Sequence, residues 1–247
     1  MASMTRDTSA WPKREVSRVE GFSDAVFAFA ITLLVVSLEV PKTFDELVRL
    51  LREAPAFAAC FALFWLIWKQ HHQFFRRYGL EDPKTLRLNT LLLFVVLLYV
   101  YPLKFLFTMV LGQFIGGPLD SAKPPIEIGQ VRPLMVIYST GYAAVWAIFA
   151  LMYRHAYACR DTLGLDARQR FDTLAQAGSM LMHVAIGGIS TVMALVSPPR
   201  LAGLNAGLTY FLIGPAQSVY WWRVGKRRRA IFAGTQASEE TQRSVLG

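Results

Sequence analysis

Charge is what this sequence has least of. Lys, Arg, Asp and Glu make up 17% of its 247 residues, against roughly 25% in an average soluble chain, and the deficit is concentrated in long stretches that carry almost none. Such stretches leave no solvated surface and argue against a soluble domain. Cysteine is scarce too. Cys60 and Cys159 stand at no metal-ligand or redox spacing, which excludes a disulfide framework or a zinc site and leaves both as packing residues. No P-loop, G-x-S-x-G, H-E-x-x-H or dinucleotide fingerprint occurs, so neither an enzyme nor a bound cofactor is expected. Low-complexity tracts are missing, and the search for repeats finds only a faint echo of Gly21–Phe29 in Gly141–Phe149.

What is present is apolar length. Hydrophobic residues make up 54% of the chain, and a bilayer-spanning helix needs about 20 mainly apolar residues, because the hydrocarbon core is about 30 Å thick and each helical residue rises about 1.5 Å. Six stretches meet that length: Phe22–Val40, Ala56–Phe75, Leu88–Leu111, Leu134–Met152, Leu174–Val196 and Leu201–Trp222. Between them lie Pro41, Tyr78-Gly79 with Asp82-Pro83, Gly116-Gly117-Pro118, Asp161 to Asp166 around Gly164, and Ser197-Pro198-Pro199, all with turn chemistry. The fold class expected is therefore all-α, a polytopic membrane protein of six transmembrane helices. Residues 1–17 form an arm, 18–223 the transmembrane domain and 224–247 a basic then polar tail, whose end from Gln236 is expected to be disordered. Met1–Arg18 is polar and no A-x-A-like site ends the first apolar stretch, so a cleavable signal peptide is not expected.

The distribution of lysine and arginine sets the topology, since both are retained in the cytoplasm when they flank a span. Eighteen lie in the amino-terminal arm, the second and fourth loops and the tail; six lie in the other three loops. Lys69 and Lys104 fall inside spans and can snorkel to an interface. Both termini are thus expected in the cytoplasm of a cell-membrane protein. The same pattern accounts for the net charge of +9 without nucleic acid. Lys226, Arg227, Arg228 and Arg229 form a juxtamembrane anchor that also suits anionic lipids.

The first span opens with Arg18-Val-Glu-Gly-Phe22-Ser23-Asp24. An aspartate at the start of a lipid-spanning helix is costly unless paired or wet, which marks a contact; Ser23 and Asp24 are also ordinary helix-capping types. R-x-x-x-F-S-D followed by A-V-F-A-F-A-I-T-L-L-V-V resembles the signature of the bacterial branch of the transmembrane protein 175 family of potassium channels. The resemblance extends to Trp68-x-x-His71-His72-x-Phe74-Phe75, Asn89 and Pro102, and covers about residues 18 to 105. It implies six-span subunits that assemble as homotetramers with the first helices around the pore, and potassium ions as the permeant species. Symmetric closure also suits the physics, since one helix cannot enclose a water path.

At about 100° per residue, with Phe29 at zero, Thr32 lies at about −60°, Leu33 at +40°, Val36 at −20° and Val40 at +20°. Asp24 is about 140° away and should point into the protein. The resemblance assigns the constriction to Phe29, Thr32, Leu33 and Val36; the family usually has isoleucine or leucine where this chain has Phe29, which leaves open which ring is tightest. An apolar ring can gate by dewetting. Thr32 either turns its hydroxyl to the ion path or bonds back to the carbonyl four residues earlier. Arg18, Asp24, His71 and Asn89 lie near one end of the first three spans and suit a buried polar network, and the resemblance adds Phe22 and Ser23 to the motif. His71 serves either as a structural histidine or as a pH sensor or metal ligand; His72, His155 and His183 carry less signal.

The T-V-G-Y-G potassium filter does not occur, and Ser139-Thr140-Gly141-Tyr142 lies within a span, without a re-entrant loop. Selectivity must come from another device. The expected function is a potassium-selective channel with a hydrophobic gate. A proton- or cation-coupled transporter using Asp24, His71 and Lys104 is the competing class, although no pair of broken helices or inverted repeat is visible, and a non-conducting scaffold is the third.

Overall fold

The structure, a computed structural model, describes residues 15–36, 40–115 and 126–245, with the side chains of Val36, Arg49, 112–115 and 234–245 outside the description. The loop centred on Gly116-Gly117-Pro118 and most of the amino-terminal arm also lie outside it. All regular structure among the described residues is helical: α1 (Arg18–Val36), α2 (Phe44–Tyr78), α3 (Pro83–Ile115), α4 (Ile128–Ala158), α5 (Ala167–Val196), α6 (Ala202–Leu208) and, after a 3₁₀ turn over Thr209–Leu212, α7 (Ile213–Val245).

Local chemistry sets the helix ends. The Ser17 hydroxyl accepts the Glu20 N–H at 3.2 Å and starts α1. Thr43 caps α2 by accepting the Glu46 N–H at 3.2 Å, while the Glu46 carboxylate accepts from the Lys42 N–H at 2.6 Å. Gly79 ends α2 in the left-handed region, φ 52°, where its N–H reaches the Phe75 carbonyl at 2.8 Å; a side chain there would be strained. Proline suits the first position of α3, where its missing N–H would be unbonded anyway. Asp166 and Gln169 form a reciprocal capping box at α5, with bonds of 2.7 and 3.1 Å.

Among the described residues four helices, α2 to α5, are long and apolar enough to cross a membrane. The remaining two expected spans differ from expectation in instructive ways. Val40, expected on the first helix, is non-helical, because a residue before proline is pushed out of the α region. The sixth span, expected as Leu201–Trp222, is divided into α6, the 3₁₀ turn and the first part of α7. Pro215 has no N–H to offer the Phe211 carbonyl, and the chain tightens just ahead of it. Beyond the sixth span α7 runs to Val245, so the stretch from Gln236 to Val245, expected to be disordered, is helical. Its Ala, Glu, Gln and Arg residues are good helix formers and need no tertiary packing to satisfy their backbone. Phe44–Pro55, expected in the first loop, is already part of α2.

Packing is closest between α4 and α5. A Cβ added at Gly187 would stand 3.0 Å from the Ala143 Cβ and 3.2 Å from the Ser139 carbonyl, so the missing side chain lets the two helices sit this close without a shift. Ser139 and Ser190 join by hydroxyls at 2.8 Å, and Ser190 donates onward to the Ala206 carbonyl of α6 at 2.9 Å. Tyr99 of α3 donates to the Tyr138 carbonyl at 2.7 Å, and the Tyr138 hydroxyl returns to the carbonyl of Pro102, fastening α3 to α4 beside the proline. Toward the other end, Gln70 meets Tyr153 at 2.6 Å and Tyr78 meets Thr173 at 2.8 Å, tying α2 to α4 and α5.

Candidate functional site

The candidate site is α1, whose two faces differ. Glu20, Ser23, Phe27, Ala30 and Leu34, spaced by three and four, are all buried against α2 and α3. On the other side Phe22, Phe29, Thr32 and Val35 are exposed, Phe29 at 56%. The subunit leaves that stripe uncovered.

A chain of hydrogen bonds fixes the buried face. The Ser23 hydroxyl donates its proton to the Val19 carbonyl at 2.8 Å, so its oxygen can only accept from elsewhere. Asn89 supplies the donor, its amide nitrogen lying 2.9 Å away. That turns the Asn89 carbonyl oxygen toward His71 Nε2 at 2.9 Å, which requires the imidazole to carry its proton on Nε2. Ser23, Asn89 and His71 are all buried, and each comes from a different helix. Phe27 and Phe75 enclose the His71 ring at 5.5 and 4.6 Å between centroids.

Asp24 makes a second link. Its carboxylate accepts the Trp68 indole N–H at 2.7 Å, and Trp68 in turn stacks on His72 at 5.4 Å and 21°. Trp68 belongs to the motif that carries the family resemblance, but its pairing with Asp24 is set by helix packing, since nothing in the spacing says which donor faces a carboxylate across a helix interface. Arg18 and Phe22 are exposed and stand apart from these bonds.

On the outer stripe the Thr32 hydroxyl bonds back to the Ala28 carbonyl at 2.9 Å. The bond uses the hydroxyl proton only, and the threonine remains exposed, so the oxygen lone pairs stay available as acceptors. Leu33 is half-buried at the edge of the stripe. Val36 ends the helix with its side chain outside the described residues, and Val40 stands beyond the helix, 84% exposed.

At the α2–α3 turn, close to where α1 begins, Asp82 accepts from the Thr85 hydroxyl at 2.5 Å and meets His155 Nε2 at 2.8 Å. Partial burial alone would raise the Asp82 pKa, but the Thr85 hydroxyl and His155 outweigh it and hold the carboxyl at about 2. Among the described residues no group of three or more His, Cys, Asp or Glu side chains is arranged to hold a metal ion.

Comparison with known proteins bears on both the fold and this helix. The family described as "Endosomal/lysosomal potassium channel TMEM175" matches residues 18–99, the stretch that contains α1, α2 and the Asn89 half of α3. A potassium channel of Marivirga tractuosa is 38% identical over 226 residues, covering 88% of this chain and 91% of its own. A crystal structure of a variant of the potassium channel MtTMEM175, bound to a nanobody–MBP fusion, superposes with a TM-score of 0.77 at 36% identity over 88% of this chain and 97% of that one. A lysosomal potassium-selective channel TMEM175 homolog from Chamaesiphon minutus superposes with a TM-score of 0.54 at 23% identity, over 84% and 96% of the two chains, a likeness of fold alone.

Proposed function

The chain belongs to the TMEM175 family and is a multi-pass membrane protein, and from that premise we propose that it is a potassium-selective channel in which four copies surround one axis with α1 innermost. The observation that carries this is the division of α1 into a face pinned by Ser23 and Asp24 and a face, with Phe29 and Thr32, that the subunit leaves uncovered. Cyclic closure places four such faces around a common path, which no single helix can enclose.

In that arrangement four Phe29 rings narrow the path, and Leu33, Val36 and, where the chain leaves the helix, Val40 continue an apolar lining. A narrow apolar neck holds no continuous water and closes without a plug; rotation of the helices reopens it. Thr32 then presents four hydroxyl oxygens to a cation between apolar rings. Potassium moves passively down its gradient, and no bound cofactor takes part. Ser23, Asn89, His71 and the Asp24–Trp68 pair hold α1 in place and take no part in conduction, while Arg18 and Phe22, exposed in the subunit, are available to neighbouring copies.

Both termini face the cytoplasm, by the excess of lysine and arginine on that side. Of the four basic residues after the last span, Arg228 pairs with Asp172, leaving Lys226, Arg227 and Arg229 for anionic lipid. The transporter alternative would need Asp24 and His71 on a wet path, whereas both are engaged between helices.

Thr32→Ala tests the pore role. Bi-ionic reversal potentials across a bilayer should shift toward zero, with the potassium preference over sodium falling about fivefold, the change that corresponds to about 1 kcal/mol. Unchanged reversal potentials would remove Thr32 from the ion path.

A further inference from the structure

Beside the seam of α5 and α7 lies a groove of about 380 Å³ lined by Met182, Pro215, Ala216, Val219, Tyr220 and Arg223. Its origin is local. Pro215 has no side chain beyond its ring, Ala216 is small, and the α5–α7 seam is closed elsewhere by polar bonds. Gln217 meets the Ser179 hydroxyl at 2.9 Å, and the Tyr220 hydroxyl donates to the Ala175 carbonyl at 2.7 Å.

The groove is apolar along its length and cationic at one end. From Pro215 to Arg223 it runs about 12 Å along the helix, most of the roughly 15 Å depth of one hydrocarbon leaflet. Arg223 closes it where Trp221 and Trp222 are exposed, the aromatic signature of a membrane–water boundary. Counting from Pro215 at about 100° per residue, Val219, Arg223, Lys226 and Arg227 fall at about 40°, 80°, 20° and 120°, on one face, while Arg228 falls at about 220°. The pairing follows that division. Arg228 is bound to Asp172 at 3.1 Å, whereas among the described residues Arg223, Lys226 and Arg227 form no ion pair. Lys226 lies over the Trp222 ring at 3.9 Å, which keeps its charge at the boundary.

We infer that this groove binds one anionic phospholipid of the cytoplasmic leaflet per subunit, an acyl chain lying against Pro215, Val219 and Met182 and the phosphate on Arg223, with Lys226 and Arg227 beside the headgroup. The inference rests on the orientation proposed above. Arg suits the role because its guanidinium offers two parallel N–H groups to phosphate oxygens, and its stem packs on the apolar rim while the charge stays at the surface. Met182 adapts to the chain beside it.

The test counts lipid bound to the full-length protein by native mass spectrometry after extraction from vesicles of equimolar phosphatidylglycerol and phosphatidylcholine. Phosphatidylglycerol should be retained preferentially, at one per subunit, and excess inorganic phosphate should not displace it. Arg223→Gln should lower the preference about fivefold, the effect of one basic residue at an anionic surface. Val219→Trp should fill the groove and release lipid whatever its headgroup, and Arg228→Gln should leave retention unchanged. Size-exclusion elution as the native assembly qualifies each variant. Equal retention of the two lipids, displacement by phosphate, preference that survives Arg223→Gln, or an equal loss in Arg228→Gln would overturn the inference. Potassium flux from the same preparations separates the two proposals: flux without lipid retention removes the lipid site alone, and retention without flux removes the channel alone.

Discussion

Replacing Asn89 with leucine, which has nearly the same size and no polar atoms, removes the residue that joins three helices. Two groups lose a partner. His71 is 1% exposed, and its Nε2–H donates to Asn89 at 2.9 Å; a buried donor left unsatisfied costs about 1–3 kcal/mol. Ser23 loses less, because its hydroxyl keeps the bond to Val19 and only its accepting lone pair is orphaned, a loss nearer the ~0.6 kcal/mol average for hydrogen bonds between membrane helices. The sum is about 2–4 kcal/mol per subunit. For a chain of this size that lowers the melting temperature by on the order of 5–10 °C, measured by fluorescence size-exclusion after heating the detergent-solubilised protein. Asn89→Asp should be no better despite its shape, since a carboxylate oxygen would face the Ser23 oxygen, whose proton is already in use. A leucine variant that melts within about 1 °C of the native protein, or an aspartate variant that matches it, would refute the bond directions assigned to Ser23, Asn89 and His71.

Three further outcomes are expected. Asp24→Ala leaves the Trp68 indole N–H without its carboxylate and removes a charge-assisted bond of about 1.5–3 kcal/mol, so the yield of assembled protein should drop with ion preference unchanged in what survives; normal yield with altered preference would reverse that assignment. Because Asp82 titrates at about 2 when folded, below the ordinary carboxylate value of about 3.9, its contribution is complete above that ordinary value and is lost as pH falls toward about 2. Asp82→Asn should therefore flatten the fall in melting temperature between about pH 4 and 2; equal slopes in variant and native protein would contradict it. Trp68→Phe keeps the ring stacked on His72 but deletes the indole donor, and should reproduce most of the assembly defect of Asp24→Ala, with the double variant no worse than either single one.

The parts of the fold legible in the sequence are those set by length and turn chemistry. The four runs that became α2 to α5 are apolar over distances only a bilayer requires, and Gly79, Pro83 and Asp166 mark their ends by local chemistry. The sixth span is present but interrupted, because hydropathy is blind to backbone hydrogen bonding: Leu201–Trp222 is mainly apolar, yet Pro215 interrupts its ladder. The helical start of α2 and the end of α7 lie outside apolar runs, where helix propensity rather than hydropathy decides. Within the site, Arg18, Asp24, His71 and Asn89 stand out because a polar group among apolar helices needs a partner, and Ser23 through the family resemblance. Which partner each finds depends on how the helices are rotated against one another, and that is a property of tertiary packing. Hence Trp68 emerged as the Asp24 donor, and Arg18 as exposed, only in three dimensions.

The most direct measurement is potassium-driven flux from liposomes holding the purified protein, with a proton ionophore to carry compensating charge and valinomycin as the positive control. Flux in potassium that falls in sodium, and that rises when Phe29→Ala widens the apolar neck, is the expected result. Flux absent in both salts, strictly tied to protons, or indifferent to Phe29 and Val36 would contradict a channel lined by α1.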